Sequence, residues 1–221
     1  VMDAPASPET PRGTPAADPR LLRIWLMGWC KARGAPLPTA AYGGWHVAVG
    51  LPEQKARLVF ASASTGLSEA SEAIREPHIF LKACATAEKM ARCLAPGWEM
   101  RPPGYLMEQP VLGSTWAEGV SLRQEEPGLL KAEIVRDGAL AACGTVVLVD
   151  GFAIFDRIQT DEAHRRQGLG RRIMTHLGAA AHAAGARHGL LVATAEGRAL
   201  YEAIGWRLHS PYSTAVRPSK A

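Results

Sequence analysis

Apolar positions at Leu21, Leu22, Trp25, Leu26 and Trp29 recur at the three-and-four spacing of one helical face, which predicts a helix ended by Gly34, Pro36 and Pro38. Short runs at Trp45–Val49 and Arg57–Ala61 read as strands. A helix follows around Ser68–Arg75, then a strand over His78–Ala83. Thr86 offers a cap for another helix with Met90 and Leu94 inward and Pro96-Gly97 as its stop, and Tyr105–Gln109 is one more strand. From residue 129 the pattern sharpens. Leu130–Val135 and Ala139–Val149 flank Asp137-Gly138, and Phe152–Thr160 follows Asp150-Gly151. Asp-Gly between apolar runs is a hairpin signal. Gly168–Ala184 has helical composition with Ile173, Leu177 and Ala181 on one face. His188–Thr194 is an apolar strand, Arg198–Ile204 a short helix, and Gly205-Trp206 leads into a last strand or two.

Composition narrows the class. The chain has 221 residues, 47% of them apolar, enough for one large domain or two small ones with a sizeable core. Residues 1–19 carry Pro5, Pro8, Pro11, Pro15 and Pro19 and few large apolar side chains, which predicts a disordered tail. Residues 20–110 form an amino-terminal α/β part, read as a degenerate half or an acceptor-binding region, and residues 111–221 the core that carries chemistry. No apolar run reaches the roughly 20 residues that span a bilayer. Cys30, Cys84, Cys93 and Cys143 are scattered, without the spacing of a disulfide framework or a metal site. Reduced thiols in a cytoplasmic protein, no metal and no membrane partner are the expectation.

The stretch with chemical content is His164-Arg165-Arg166-Gln167-Gly168-Leu169-Gly170-Arg171-Arg172. It follows a strand and opens a helix. Each glycine inside a helix costs about 1 kcal/mol relative to alanine, so two in the first turn need a reason. Without Cβ atoms an anion can rest on the free backbone N–H groups. The helix dipole favours negative charge there, and Arg165, Arg166, Arg171 and Arg172 add to it. The plainer reading is a solvated basic helix start. Those four arginines equal the +4 net charge of the whole chain, so the basic excess points to a phosphate-rich small molecule rather than to nucleic acid. The dinucleotide fingerprint and the P-loop ending are both missing.

Arg165-Arg166-Gln167-Gly168-Leu169-Gly170 resembles the acetyl-CoA loop Gln/Arg-x-x-Gly-x-Gly/Ala of the GNAT (Gcn5-related N-acetyltransferase) superfamily. Downstream, Leu200-Tyr201-Glu202-Ala203-Ile204-Gly205-Trp206 resembles that family's Leu-Tyr-x-x-x-Gly-Phe/Trp signature. Both motifs stand in the expected order, so the resemblance covers roughly residues 129–216. It implies an α/β (α+β) fold: a mixed, mostly antiparallel sheet flanked by helices and splayed between the strand ending at Thr160 and the strand around Leu191–Ala193. Backbone groups of residues 157–160, Ile158, Gln159 and Thr160 among them, would pair with the pantetheine arm of acetyl-CoA. The N–H groups of Arg165, Arg166, Gln167, Gly168, Leu169 and Gly170 would hold the pyrophosphate, and the arginines, Arg171 included, would reach phosphate.

The resemblance further implies that Tyr201 donates a proton to the departing thiolate, which assists collapse of a tetrahedral intermediate. A core aromatic packed on the sheet is the alternative. A strand N–H would polarise the thioester carbonyl. Two positions depart from the family pattern. Ile154 stands where a glutamate is common, and Asp156, on the same face by strand alternation, is a candidate base or amine anchor or else an ion-pair partner. Thr194 stands where an asparagine is common, which leaves its cofactor contact open. His164 reads as a loop-positioning residue, and Cys143 as a structural thiol. The implied activity is N-acetyl transfer from acetyl-CoA to a primary amine of a small molecule, by direct attack in a ternary complex. A non-catalytic CoA-binding module and a protein N-acetyltransferase are the alternatives. The Trp- and Gly-rich region around Gly43, Gly44, Trp45 and Trp98 is expected on the acceptor side, and a homodimer is compatible with the sequence.

Overall fold

The computed structural model of the chain describes residues 17–219. Of the tail assigned to residues 1–19, residues 1–16 lie outside that range, and the last three correct the boundary. Ala17 is buried and its N–H donates to the Ala61 carbonyl at 3.0 Å. Asp18 caps the first helix, α1 (Pro19–Ala32), by accepting from the Arg20 N–H. Pro19 occupies the first helical turn, where its missing N–H is harmless; a proline that starts a helix looks in sequence like one that forbids it.

The first half continues with β1 (Thr39–Ala41), β2 (Gly44–Leu51), β3 (Gln54–Phe60), α2 (Thr65–Ala73), β4 (Ile79–Ala83), α3 (Ala87–Ala91), β5 (Glu99–Met100) and β6 (Gly104–Gln109). The second half holds β7 (Ser121–Glu126), β8 (Leu129–Arg136), β9 (Ala139–Val149) and β10 (Phe152–Thr160). After a 3₁₀ turn at Glu162–His164 come α4 (Leu169–Ala183), β11 (His188–Thr194), α5 (Ala195–Ala203) and β12 (Arg207–Val216). Both Asp-Gly turns have positive φ at both residues, the geometry that joins twisted strands tightly. Strand β7 is exposed along its whole length, so it lacks the apolar alternation that would have announced it.

The strands form one sheet in the order β1-β2-β3-β4-β12-β6-β11-β10-β9-β8-β7, with β5 added to β12. Pairing is antiparallel except at β3/β4 and β10/β11, which α2 and α4 connect. The fold is thus the expected mixed, mostly antiparallel sheet flanked by helices. The last strand of each half sits in the other: β6 pairs with β11, β12 pairs with β4, and the two pair with each other. Sheet order therefore runs unbroken across residue 110.

Helix α1 covers one face, packing on β9 and β10, and α4 covers the opposite face of the same strands. Gly28 of α1 rests against Ile154, where a Cβ would come within 2.4 Å of the isoleucine side chain. Strand β10 alternates between the two faces. Ile154 packs with α1, and Phe155 with Trp206 and the α4 side.

Candidate acetyl-donor site

Strands β10 and β11 pair only over Phe152–Ile154 with His188–Leu190. Beyond that, β11 stays bonded to β6 as far as Thr194, while β10 follows β9. By contrast β3 and β4, the other parallel pair, stay in register over Ala56–Phe60. The difference lies in a bulge on β10 between Asp156 and Gln159, where Arg157 takes φ +54°. A bulge bends its strand and adds one residue to the count. After it Ile158 packs on the α4 side, beside Ile173 and Leu177 near Gly144, although simple alternation from Ile154 would put it on the α1 side.

The cleft so opened holds two adjoining cavities. A cavity of about 1000 Å³ is lined by Ile158, Gln159, Thr160, Arg165, Arg166, Gly168, Leu169, Gly170, Arg171 and Thr194. It shares Ile158, Gln159, Thr194 and Gly197 with a second, of about 500 Å³, which reaches Asp156 and Tyr201. All the residues singled out for cofactor binding line this cleft except Gln167, whose side chain bonds Arg136 and the Ala163 carbonyl.

The loop geometry accounts for the glycines. Gly168 caps α4 with φ +74°, a left-handed conformation that glycine adopts freely. The first backbone bond into α4 runs from Arg172 N–H to the Gly168 carbonyl at 3.1 Å. The N–H groups of residues 168–171 therefore have no intrahelical acceptor, and three of their neighbours along the cleft are arginines. Arg172 corrects the count of charges on the loop. It turns away and donates to the Glu118 carbonyl. His164 lies 3.3 Å from the Asp161 carboxylate three residues before it.

Thr194 caps α5, accepting from the Gly197 N–H at 3.1 Å. Its hydroxyl thus supports the helix that carries Tyr201. Tyr201 is 8% exposed, packs in the core beside Trp206, and still borders the cleft. Burial foremost, and then the charge of Asp156, push its phenol up to about 12. Asp156 is held from two sides by Arg33, at 2.7 Å from Nε and 3.0 Å from the terminal nitrogen. It projects toward α1, as alternation from Ile154 predicted. Cys143 is half-buried on the cleft wall, and burial raises its thiol pKa, which disfavours the reactive thiolate.

Beyond Asp156 lies a third chamber of about 200 Å³ on the α1 side, lined by Trp25, Trp29, Arg33, Arg57, Lys82, Asp156, Val192 and Tyr212. The expected acceptor-side tryptophans, Trp45 and Trp98, do not line it. Trp98 donates to the Ser71 carbonyl within a separate core cluster, and Trp25 and Trp29 of α1 stand at the chamber instead. Arg57 and Lys82 escaped the sequence reading: Lys82 is a cation inside the otherwise apolar β4, a signal that was there, whereas Arg57 follows Gln54 and Lys55 on β3 and does not stand out.

A family model described as "Acetyltransferase (GNAT) domain" matches residues 131–208. Residues 131–208 are thus similar to a GNAT acetyltransferase domain. That match spans β8 to the start of β12, and so takes in the bulge, the glycine loop and Tyr201. No curated protein matches the chain. Among solved structures, a GCN5-related N-acetyltransferase from Kribbella flavida aligns with TM-score 0.63 and 15% identity over 91% of this chain and 96% of its own. An acetyltransferase of the GNAT family from Novosphingobium aromaticivorans gives 0.59 and 19%, over 90% and 99%. A third, from Sphaerobacter thermophilus, gives 0.53 and 14%, over 80% and 78%. At such identities the likeness is one of fold, and it extends beyond the GNAT domain match to the amino-terminal half. No described helix is long and apolar enough to cross a membrane.

Proposed function

We propose that the protein transfers acetyl from acetyl-CoA to a primary amine of a small molecule, by direct attack in a ternary complex. The observation that carries this reading is the pair of adjoining cavities that runs from the glycine loop, past the bulged gap between β10 and β11, to Tyr201 and Asp156. Free N–H groups of residues 168–171 and the side chains of Arg165, Arg166 and Arg171 suit a diphosphate. The unpaired edges of residues 157–160 and 191–194 suit the amide groups of a pantetheine arm, added as a strand would be.

The acceptor would come from the α1 side, where Asp156 marks the junction with the third chamber. An alkyl amine with a pKa near 10.4 arrives protonated and must first release its proton to water or to a base. Each Asp156 oxygen keeps a lone pair beyond its bond to Arg33, so the carboxylate can anchor the amine. The amine nitrogen bonds to the thioester carbonyl carbon while a strand N–H takes the developing oxyanion. The nitrogen gives up its extra proton to water or to the departing sulfur, the carbon–sulfur bond breaks, the amide forms, and the thiolate is met by a hydrogen bond from the Tyr201 hydroxyl.

A CoA-binding module without turnover is the second reading. The fully buried Ile154 at the family's glutamate position and the Arg33 clamp on Asp156 favour it. Thiol release from acetyl-CoA with a panel of amines, beside calorimetric CoA binding, separates the two. Tight CoA binding with no thiol release on any amine would leave the second reading standing.

A further inference from the structure

The chamber behind Asp156 holds more positive charge than its structure needs. The guanidinium of Arg57 lies over the Trp29 ring at 3.4 Å, and that of Arg33 lies 5.0 Å from the same ring. Lys82 stands 5.6 Å from the Tyr212 ring and donates to the Thr214 hydroxyl at 3.0 Å. The one carboxylate lining the chamber, Asp156, has both oxygens bonded to Arg33. Arg57 and Lys82 therefore have no anionic partner among the described residues.

Burying a cation without an anion is costly, and two polar atoms add to the cost. Arg57 is 6% exposed and Tyr212 3% exposed. The buried Nε of Arg57 and hydroxyl of Tyr212 find no hydrogen-bond partner among the described residues. Arg57 spends a terminal nitrogen on Gln54, at 2.9 Å. Its remaining donors and the Tyr212 hydroxyl belong to side chains that line the same space. Six elements meet there: α1, β3, β4, β10, β11 and β12. Burial, helped by Arg57 and Arg33, also holds the Lys82 pKa down at about 7.

We propose that this chamber takes a carboxylate of the acceptor, so that the substrate is a small amino carboxylate whose anion docks on Arg57, Lys82 and Tyr212 while its amine lies at Asp156 and Tyr201. The inference rests on the acetyl-transfer reading for the amine, but not for the anion subsite itself. A planar guanidinium with a neighbouring phenol suits a carboxylate, which accepts in one plane. Trp29 and Trp25 would close the apolar side of the chamber, and Arg33, tied to Asp156, would separate the anion from the reacting end.

The test titrates CoA-saturated protein calorimetrically with glycine, β-alanine, 4-aminobutyrate, 6-aminohexanoate and L-glutamate, with n-alkylamines of matched length, and with 2-aminoethylphosphonate and 3-aminopropylphosphonate. Thiol release from acetyl-CoA is followed with the same set. At least one amino carboxylate should bind 10-fold or more tightly than its matched alkylamine. Arg57→Gln should abolish that preference, Arg57→Lys should keep part of it, and CoA affinity should be the same in both. Lys82→Met should weaken the amino carboxylate several-fold, and it serves if Arg57→Gln does not fold. Carboxylates binding no better than alkylamines, or a preference that survives Arg57→Gln, would overturn the proposal. So would phosphonates binding better than carboxylates. Failure of thiol release with every amine strikes the transfer reading instead, and the binding preference still decides the subsite.

Discussion

The Tyr201 phenol, lifted to about 12 by burial and by Asp156, keeps its proton throughout the pH range in which the fold is expected to persist. Full transfer to a thiolate of ordinary pKa near 8.5 would be uphill by about 5 kcal/mol. In the proposed reaction Tyr201 therefore acts by hydrogen-bond donation as sulfur departs. Tyr201→Phe should lower kcat on the order of 100-fold and leave the calorimetric CoA affinity within about twofold. The wild-type pH profile should rise as the amine loses its proton, with no alkaline limb from Tyr201 below about pH 10. An unchanged kcat in Tyr201→Phe would remove the residue from the reaction. Lys82 makes a prediction about stability. Its folded pKa of about 7 lies below its ordinary value of 10.5, so the unfolded chain holds the proton more tightly. The penalty for burying the ammonium is complete below pH 7 and fades as pH climbs toward 10.5. Arg57 of β3, Arg33 at the cap of α1, Asp156 of β10 and Tyr212 of β12 share its chamber, and Glu196 of α5 lines the neighbouring cavity with it. Lys82→Met should raise Tm in the ligand-free protein most below pH 7, with the gain shrinking through pH 8–10. A gain independent of pH would mean that packing, and not charge, is at stake.

At the scale of elements, the loop before α4 combines a conformation and a charge that can be separated. Gly168 sits at φ +74° with open space where a Cβ would go. Asparagine tolerates the left-handed region better than most side chains, so Gly168→Asn tests conformation alone and Gly168→Asp adds a negative charge. Acetyl-CoA should bind Gly168→Asp about 10-fold more weakly than Gly168→Asn, or about 1.4 kcal/mol. The gap should narrow as salt is raised, because exposed charges are screened. Equal affinities of the two variants would place the phosphates elsewhere. Strand β10 teaches a related lesson. Its bounds and its alternation as far as Asp156 were legible from Phe152–Thr160, since a half-buried strand writes its two faces into the sequence. The bulge was not, because Arg157 at φ +54° carries no residue-type signal comparable to glycine.

At the scale of the whole molecule, the halves are joined by their exchanged strands. β12 completes the sheet beside β4, and β6 completes it beside β11. Residues 17–110 and 111–219, expressed separately, should each lack a cooperative thermal transition, and co-expression should recover one, as followed by circular dichroism. A cooperative transition in the isolated carboxyl-terminal piece would mean that β11 does not need β6. The same crossing explains why the amino-terminal half resisted functional reading. Its contribution to the proposed acceptor chamber is Trp25, Trp29 and Arg33 at the end of α1, one side chain from β3 and one from β4, which meet Asp156 of β10, Val192 of β11 and Tyr212 of β12. No contiguous stretch contains that constellation.

What the sequence determined by itself is local: helix faces, hairpin turns, the glycine start of α4, and the motif pair that pointed to the GNAT fold. Each depends on residues a few positions apart, where spacing translates directly into geometry. The tertiary structure alone decided the width of the cleft, the choice of Arg33 as the partner of Asp156, the outward turn of Arg172, and the gathering of Arg57 and Lys82 behind Tyr212. These depend on which strands become neighbours and where one of them bulges. The net charge of +4 shows the difference: four loop arginines matched it in sequence, but the fold turned Arg172 away, buried Arg57 and half-buried Lys82, neither of them with an anionic partner among the described residues.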